Sequence, residues 1–402
     1  MMTIGILILL PATVVIAEPV AVPVPSAEAV RYQGIRDLAW AANQLLTLLV
    51  PVLLMVLARR STLTKKLGKY AAFLILSVIL FTLNALIQFP LDRIRTNALN
   101  RAEGSPDAPV LQWITGHLIQ SLPGIVVSVV AALLVFWMIN RSPRRWWLWA
   151  TGVFSLLFLV FLVAEPLTIA TKPLGQSAVE LKIAELADRV GVQRASVALE
   201  DCEPFDQCEI AHVSGLGPTR VILLNKGLFE NYPDAWSVQS FAHEAKHFVK
   251  DDNLTGWIVM TLILLVIFWL SDRISQALIK KFPERLGFTS LGQPAALPLL
   301  FLILSVMYVI ALPPVNMFRQ HVEFEADRFG LELTNANEEF ARMASSWTTR
   351  SKTHVPDPGL FFMLFRSSHP SDAARIAYAN ERLRANAEPR IAETHIAETR
   401  TK

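Results

Sequence analysis

SFAHEAKHFVKDDNLTGWIVMTLILLVIFWL, residues 240–270, holds two readings in one stretch. Its first half carries His243, Glu244 and His247, an H-E-x-x-H pattern. On a helix, positions i and i+4 share a face, so both imidazoles reach one metal ion and Glu244 stands beside it. Zinc lowers the pKa of a bound water, and a neighbouring carboxylate takes its proton. The second half, Leu254–Leu270, is an apolar run that reads as a membrane span. The surroundings of the motif favour a helix. Asp234 after Pro233 is an expected N-cap, and Val238, Phe241, Ala242, Ala245, Phe248 and Val249 recur at helical spacing. The bland reading is a charged helix face with two solvated histidines, so the rest of the chain has to decide.

The chain of 402 residues is 53% apolar and only 18% charged, which is too apolar for an ordinary soluble protein. A net charge of +3 gives no reason to expect a nucleic-acid partner. The lipid bilayer is the expected one. Residues 1–29 read as a signal peptide or a first span, with Ala27-Glu-Ala29 as a small-residue cleavage site. Residues 30–170 read as membrane helices, with spans near Leu38–Ala58, Ala71–Phe89, Leu118–Ile139 and Trp146–Ala170. Pro51 and Pro123 interrupt two of them, and Glu165 reads as an interfacial carboxylate. Residues 171–252 are hydrophilic, with an amphipathic helix at Ser177–Val190 and strands at Ser196–Leu199 and Arg220–Leu224. Residues 253–312 hold two further spans, the second near Ala295–Leu312. Residues 313–390 form a second soluble part, and 391–402 a polar tail expected to fray.

Two histidines leave a catalytic zinc short of one protein ligand. The best source is Val322-Glu-Phe-Glu-Ala-Asp-Arg-Phe329. Glu323 and Asp327 lie one helical turn apart, so one can ligate while the other hydrogen-bonds a ligating imidazole. Glu325 competes for the role of ligand but faces away from Asp327. His212 and His321 read as packing histidines rather than ligands.

In this order of elements the chain resembles the type I CAAX prenyl proteases and their bacterial membrane-metallopeptidase relatives. Those have an H-E-x-x-H helix, two spans, a helix with Glu and Asp at i and i+4, and a later His-Pro-Pro-x-x-x-Arg-Ile element. Here the last element is His369-Pro-Ser-Asp-Ala-Ala-Arg-Ile376, with Ser371 in place of the second proline. The resemblance implies one Zn2+ per chain, held by His243, His247 and Glu323, with Glu244 as general base and Asp327 supporting a ligand. It implies that His369 stabilises the oxyanion, held by Arg375. It also implies that an extended peptide adds as a strand beside Ala211, His212, Val213, Ser214 and Gly215. Asn316 is retained, whereas the family's usual Ser-Arg pair is replaced by Arg319 and Gln320. The implied fold is a mainly α polytopic membrane protein of six to seven transmembrane helices with a small α+β zincin-like catalytic domain.

The implied function is endoproteolysis of flexible or membrane-associated protein substrates. The alternatives are CAAX-type processing of prenylated substrates, a non-catalytic membrane scaffold, and a transporter, which predicts mid-span ionisable residues, of which the sequence reading finds none beyond Glu165. Orientation bears on the choice. Arg59, Arg60, Lys65, Lys66 and Lys69, then Arg141, Arg144 and Arg145, then Arg273, Lys280, Lys281 and Arg285 fall in loops on one side. Positive charge in short loops marks the cytoplasm. The catalytic segments are then expected to face outward, into a bacterial periplasm. There Cys202 and Cys208 can form a disulfide.

Overall fold

The computed structural model describes residues 18–58, 67–202 and 210–400, with side chains to residue 386. It opens on four membrane-length helices, α1 (Ala27–Ala58), α2 (Lys69–Glu103), α3 (Val110–Arg141) and α4 (Trp146–Ala164). A soluble segment follows with β1 (Thr171–Pro173), α5 (Ala178–Arg189), β2 (Val197–Glu200), β3 (Ala211–Ser214), β4 (Val221–Asn225), α6 (Lys226–Asn231) and α7 (Asp234–Lys250). Two more membrane-length helices, α8 (Asp252–Lys281) and α9 (Leu297–Thr334), lead to α10 (Asn337–Arg350), α11 (Gly359–Phe365) and α12 (Asp372–Arg400). The described residues thus hold six membrane-length helices. Of the signal peptide or first span expected over residues 1–29, residues 1–17 lie outside them, and the expected cleavage site Ala27-Glu-Ala29 forms the start of α1.

Between 11% and 33% of each helix's most apolar window is buried. Most of that apolar surface faces outward, as a lipid solvent requires. Where apolar burial drives nothing, polar side chains and close packing join the helices. Gln88 of α2 accepts from Asn43 of α1 at 3.0 Å. Trp146 Nε1 of α4 donates to Asp272 of α8 at 2.7 Å, and Trp257 of α8 donates to the Ser155 carbonyl of α4 at 3.0 Å. Pro51 and Pro123 do not break their helices, nor does Pro90. Each proline removes one backbone donor, and neighbouring helices fix the path. Trp146, Ile139, Ile279, Phe288 and Leu291 share one buried cluster, which sets segments 142–145 and 282–296 at the same end; Arg273, Lys280 and Lys281, expected in a loop, lie within α8. At the other end Lys352 donates to the Glu103 carbonyl, so the segment after α10 meets the end of α2.

The second span does not end at Leu312 as its sequence suggests. α9 continues through Pro313 and Pro314 for 38 residues, about 57 Å of helix against about 30 Å of hydrocarbon. Tertiary packing overrides the two prolines: Asn316 donates to the Leu364 carbonyl, and Gln320 to those of Met363 and Ser367. One rigid rod therefore carries Glu323 from the bilayer to the soluble part. α4 is shorter than its expected Trp146–Ala170, because Pro166 turns the chain into a 3-10 segment at Glu165–Leu167. The backbone of α12 is helical through 391–400, where a frayed tail is expected.

The sheet has order β1-β2-β4-β3, with β2 and β4 parallel and the outer pairs antiparallel. Each expected strand lies one residue later than read, since 3-10 turns at Arg194–Ser196 and Gly217–Thr219 precede β2 and β4. Ser177 and Glu180 form a capping box that starts α5. Ile183, Leu186, Val197, Ile222, Leu224, Phe241 and Ala245 are buried together, clamping α7 between the sheet and α5. β1 and β3 are the edge strands, and β3 is the one beside α7.

Candidate metal centre

α7 starts at Asp234 with Pro233 in the capping position, so Asp234 is not the expected N-cap. It still places a carboxylate in the first turn, where the helix dipole favours one. At the other end Asp251 adopts φ 57°, a left-handed conformation that separates α7 from α8. This turn folds Asp252 back onto the helix before it. α9 crosses α7 closely at Gly330. A Cβ there would lie 2.8 Å from Gln239 Nε2 and 3.3 Å from the His243 backbone nitrogen, so only hydrogen fits without adjustment.

That crossing brings Glu323 of α9 onto His243 and His247 of α7. His243 Nε2 lies 3.1 Å from Glu323 Oε2 and 3.2 Å from His247 Nε2, and His247 Nε2 lies 3.8 Å from Glu323 Oε2. Tetrahedral zinc with bonds near 2.0–2.1 Å separates its donors by about 3.3 Å. The three atoms thus fit one zinc ion, and they form a metal-competent group among the described residues. The outward-facing ring nitrogens are held as well. Asp327 lies 2.9 Å from His243 Nδ1, and Asp252 lies 2.7 Å from His247 Nδ1. A carboxylate on each Nδ1 fixes the ring and presents Nε2 to the same point. Lys246 donates to Asp252 at 2.7 Å and to the Val322 carbonyl at 3.0 Å, which locks α7 against α9 beside the ligand. Glu325 points away and pairs with Arg328, and His321 is exposed.

Arg375 departs from expectation. It donates to Asp327 and not to His369. Its guanidinium also lies 4.6 Å from the Trp347 ring centroid, so it braces the support of His243. Asp327 is buried where His369 is half exposed, and a buried carboxylate has the greater need of a cation. His369 Nε2 lies 3.3 Å from Glu323 Oε2, and Ser368 Oγ lies 2.9 Å from His369 Nδ1. With Ser368 donating to Nδ1, the proton of a neutral ring sits on Nε2 and points at the ligand cluster.

Burial pushes the Glu244 carboxyl up against the lowering effect of His243 and His247, with Glu323 adding to the rise. Such a carboxylate is a stronger base than a solvated one. Partial burial, helped by the charges of Arg375 and His243, lowers His369 despite Glu323, favouring its neutral form. In the metal-free cluster, burial lowers His243, but hydrogen bonds to Asp327 and Glu323 outweigh it and push the imidazole up to about 10.

His243 and Glu244 line a cavity of about 160 Å³ with Ala211, Trp347, His369 and Arg375. His247 and Glu323 line another of about 420 Å³, walled by Phe158 of α4 and Trp257 of α8. On the edge strand, Asn225 donates to the Ile210 carbonyl, so residues 210, 212 and 214 pair with β4. The backbone of Ala211 and Val213 then points outward, because adjacent residues alternate in an antiparallel ladder. Asn253 already donates to the carbonyls of Val213 at 3.2 Å and Gly215 at 2.9 Å. Ser214 instead donates to Glu165, which ties the end of α4 to this strand. His212 Nδ1 lies 4.0 Å from Glu200 Oε2. Cys202 is disulfide-bonded, and Cys208 lies outside the described residues. The sequence reading missed Asp252 and Lys246. An acid five residues after His247 was the available signal.

Residues 173–383 match peptidase family M48, and residues 27–174 match the CAAX prenyl protease N-terminal family, described as five membrane helices. Four membrane-length helices lie in that range among the described residues. The uncharacterized metalloprotease YhfN of Bacillus subtilis (strain 168) is 28% identical over 275 residues, 67% of this chain and 64% of YhfN. The match therefore spans just under two thirds of that relative's length. The crystal structure of S. mikatae Ste24p is similar with a TM-score of 0.61 at 20% identity, over 78% of this chain and 77% of that one. That likeness is one of fold.

Proposed function

The chain belongs to peptidase family M48, and from that premise we propose that it is a zinc-dependent integral-membrane endopeptidase acting on flexible or membrane-associated protein segments. The observation that supports it most is the convergence of His243 Nε2, His247 Nε2 and Glu323 Oε2 with a carboxylate on each outward Nδ1. Zinc held by these three residues supplies Lewis acidity, which acidifies water and polarises a carbonyl. Glu244 takes the proton of the attacking water and returns it to the leaving amine. His369 donates from Nε2 to the carbonyl oxygen as negative charge develops there. Ala211 offers its N–H and C=O to an extended substrate strand, and Val213 offers its N–H. A folded domain does not present an extended strand in a cavity of about 160 Å³, which restricts substrates to unfolded segments.

We place the site on the outer face of a bacterial inner membrane. Arg144, Arg145, Lys280, Lys281 and Arg285 gather at one end of the helices, the segment after α10 meets the other, and the disulfide at Cys202 suits an oxidising compartment. An outward site favours general proteolysis of membrane or secreted proteins over processing of prenylated substrates, which are cytosolic. Activity is tested on unfolded, carboxymethylated casein with purified zinc-loaded protein. Wild type cleaves it, and Glu244→Ala keeps its zinc and does not. Equal inertness of both, or cleavage by both, removes the proposal. Orientation is tested with Lys280→Cys in a background of Cys202→Ser and Cys208→Ser. The thiol stays protected from an impermeant maleimide until cells are lysed. Labelling of intact cells reverses the assignment.

A further inference from the structure

Past Trp347, His369 and Arg375 the site cavity adjoins another of about 380 Å³. One wall is the segment between α10 and α12, including His354 and Ser371, with Asp372 at the start of α12. The facing wall comes from the first membrane helix, through Gln33 and Arg36. The other charged groups of this lining have close contacts of their own. Asp372 Oδ2 lies 2.7 Å from His354 Nε2, and Arg375 is paired with Asp327. Asp37, next to Arg36, is committed to Arg366. Among the described residues Arg36 forms no ion pair and no hydrogen bond, and its Nε is buried without a partner.

Arg36 is nonetheless held in place. Its guanidinium lies 4.8 Å from the Phe362 ring centroid and 5.5 Å from that of Tyr32. Gln33 donates to the Pro358 carbonyl at 2.7 Å, and Trp40 packs against Phe361 and Phe365, so α1 is fixed to α11 on both sides of Arg36. Aromatic faces engage the plane of a guanidinium and leave its edge donors free. A fixed guanidinium with free donors and no carboxylate within ion-pair distance fits a carboxylate ligand, which takes two of its N–H groups at once.

We propose that this cavity is an anion subsite of the peptide cleft, in which Arg36 receives a carboxylate of the substrate. The inference rests on the endopeptidase reading for the identity of the ligand as a peptide. The carboxylate comes either from the chain terminus or from an Asp or Glu side chain. Either way, the first membrane helix, outside the catalytic segments, takes part in choosing the substrate.

The test measures binding, so it does not depend on hydrolysis. Full-length zinc-loaded Glu244→Ala protein in micelles is titrated against fluorescent, otherwise uncharged peptides, with fluorescence anisotropy as readout. One Glu is walked along the peptide and compared with Gln at each position, and a free C-terminus is compared with its amide. One acid form binds about tenfold more tightly than its neutral isostere, the scale of a charge-assisted pair. The position of that form separates the terminal from the side-chain source. In Glu244→Ala/Arg36→Met the acid-to-isostere ratio falls to near one, and Arg36→Lys retains part of it. The ratio is insensitive to a general loss of packing between α1 and α11. A ratio near one at all positions in the Arg36 protein, or a preference surviving Arg36→Met, overturns the subsite. Failure of casein cleavage alone overturns the endopeptidase reading and leaves this ratio measurable.

Discussion

Replacing Arg375 with Met tests the structure where it departs from expectation. Asp327 and Arg375 have side chains 1% and 9% exposed, and Asp327 Oδ1 accepts from both Arg375 and His243. Its Oδ2 is buried with no partner. Methionine keeps a stem against Trp347 and Phe340 but removes the cation, leaving a buried carboxylate with only His243. Removing one member of a buried pair costs about 3–5 kcal/mol, because the other charge stays desolvated. Asp327→Asn lightens that burden, so in Asp327→Asn/Arg375→Met the two losses sum to less than additive by about 0.5–3 kcal/mol. The assay is chemical denaturation of metal-free protein in micelles, followed by tryptophan fluorescence. A cost for Arg375→Met below about 1 kcal/mol, the range of an exposed pair, refutes the reasoning. So does strict additivity in the double variant, which would mean that the two residues do not share one buried interaction.

Asp252→Asn weakens zinc affinity by about 10–100-fold, the usual scale for a partner of a ligating imidazole, with chelator competition as the readout; unchanged affinity would place His247 outside the metal shell. The metal-free His243 imidazole, raised from 6.5 to about 10, contributes stability that is complete below pH 6.5 and lost as pH rises through 10. Zinc needs that ring neutral, so loading at pH 7 releases at least one proton, read as a buffer-dependent heat in titration calorimetry. Heat that does not vary with the buffer's ionisation enthalpy contradicts the ligand assignment.

Local patterns carried much of this structure. The spans were legible because apolar runs of that length have few other uses, and α7 because its motif and apolar face share one period. Glu323 and Asp327 were legible for the same reason, both lying on one turn of one helix. What escaped depends on tertiary contacts. The continuity of α9 through Pro313 and Pro314 is fixed by Asn316 and Gln320 reaching α11, which no local propensity encodes. Arg375 was assigned to His369 through a family pattern, whereas the greater electrostatic need belongs to buried Asp327. Asp252 was hidden by proximity: it looks like the start of a span until the left-handed Asp251 turns it toward His247. Arg36 sits more than 300 residues from the segment it faces, and only the pairing of α1 with α11 brings them together.

The central claim is that α7 and α9 meet to hold one zinc through two imidazoles and one carboxylate. X-ray absorption at the zinc edge of the purified, loaded protein tests it most directly. The account predicts one zinc per chain with two imidazole nitrogens and carboxylate oxygen at about 2.0–2.2 Å, and no sulfur. A third imidazole, a sulfur ligand at about 2.3 Å, or no bound zinc contradicts it.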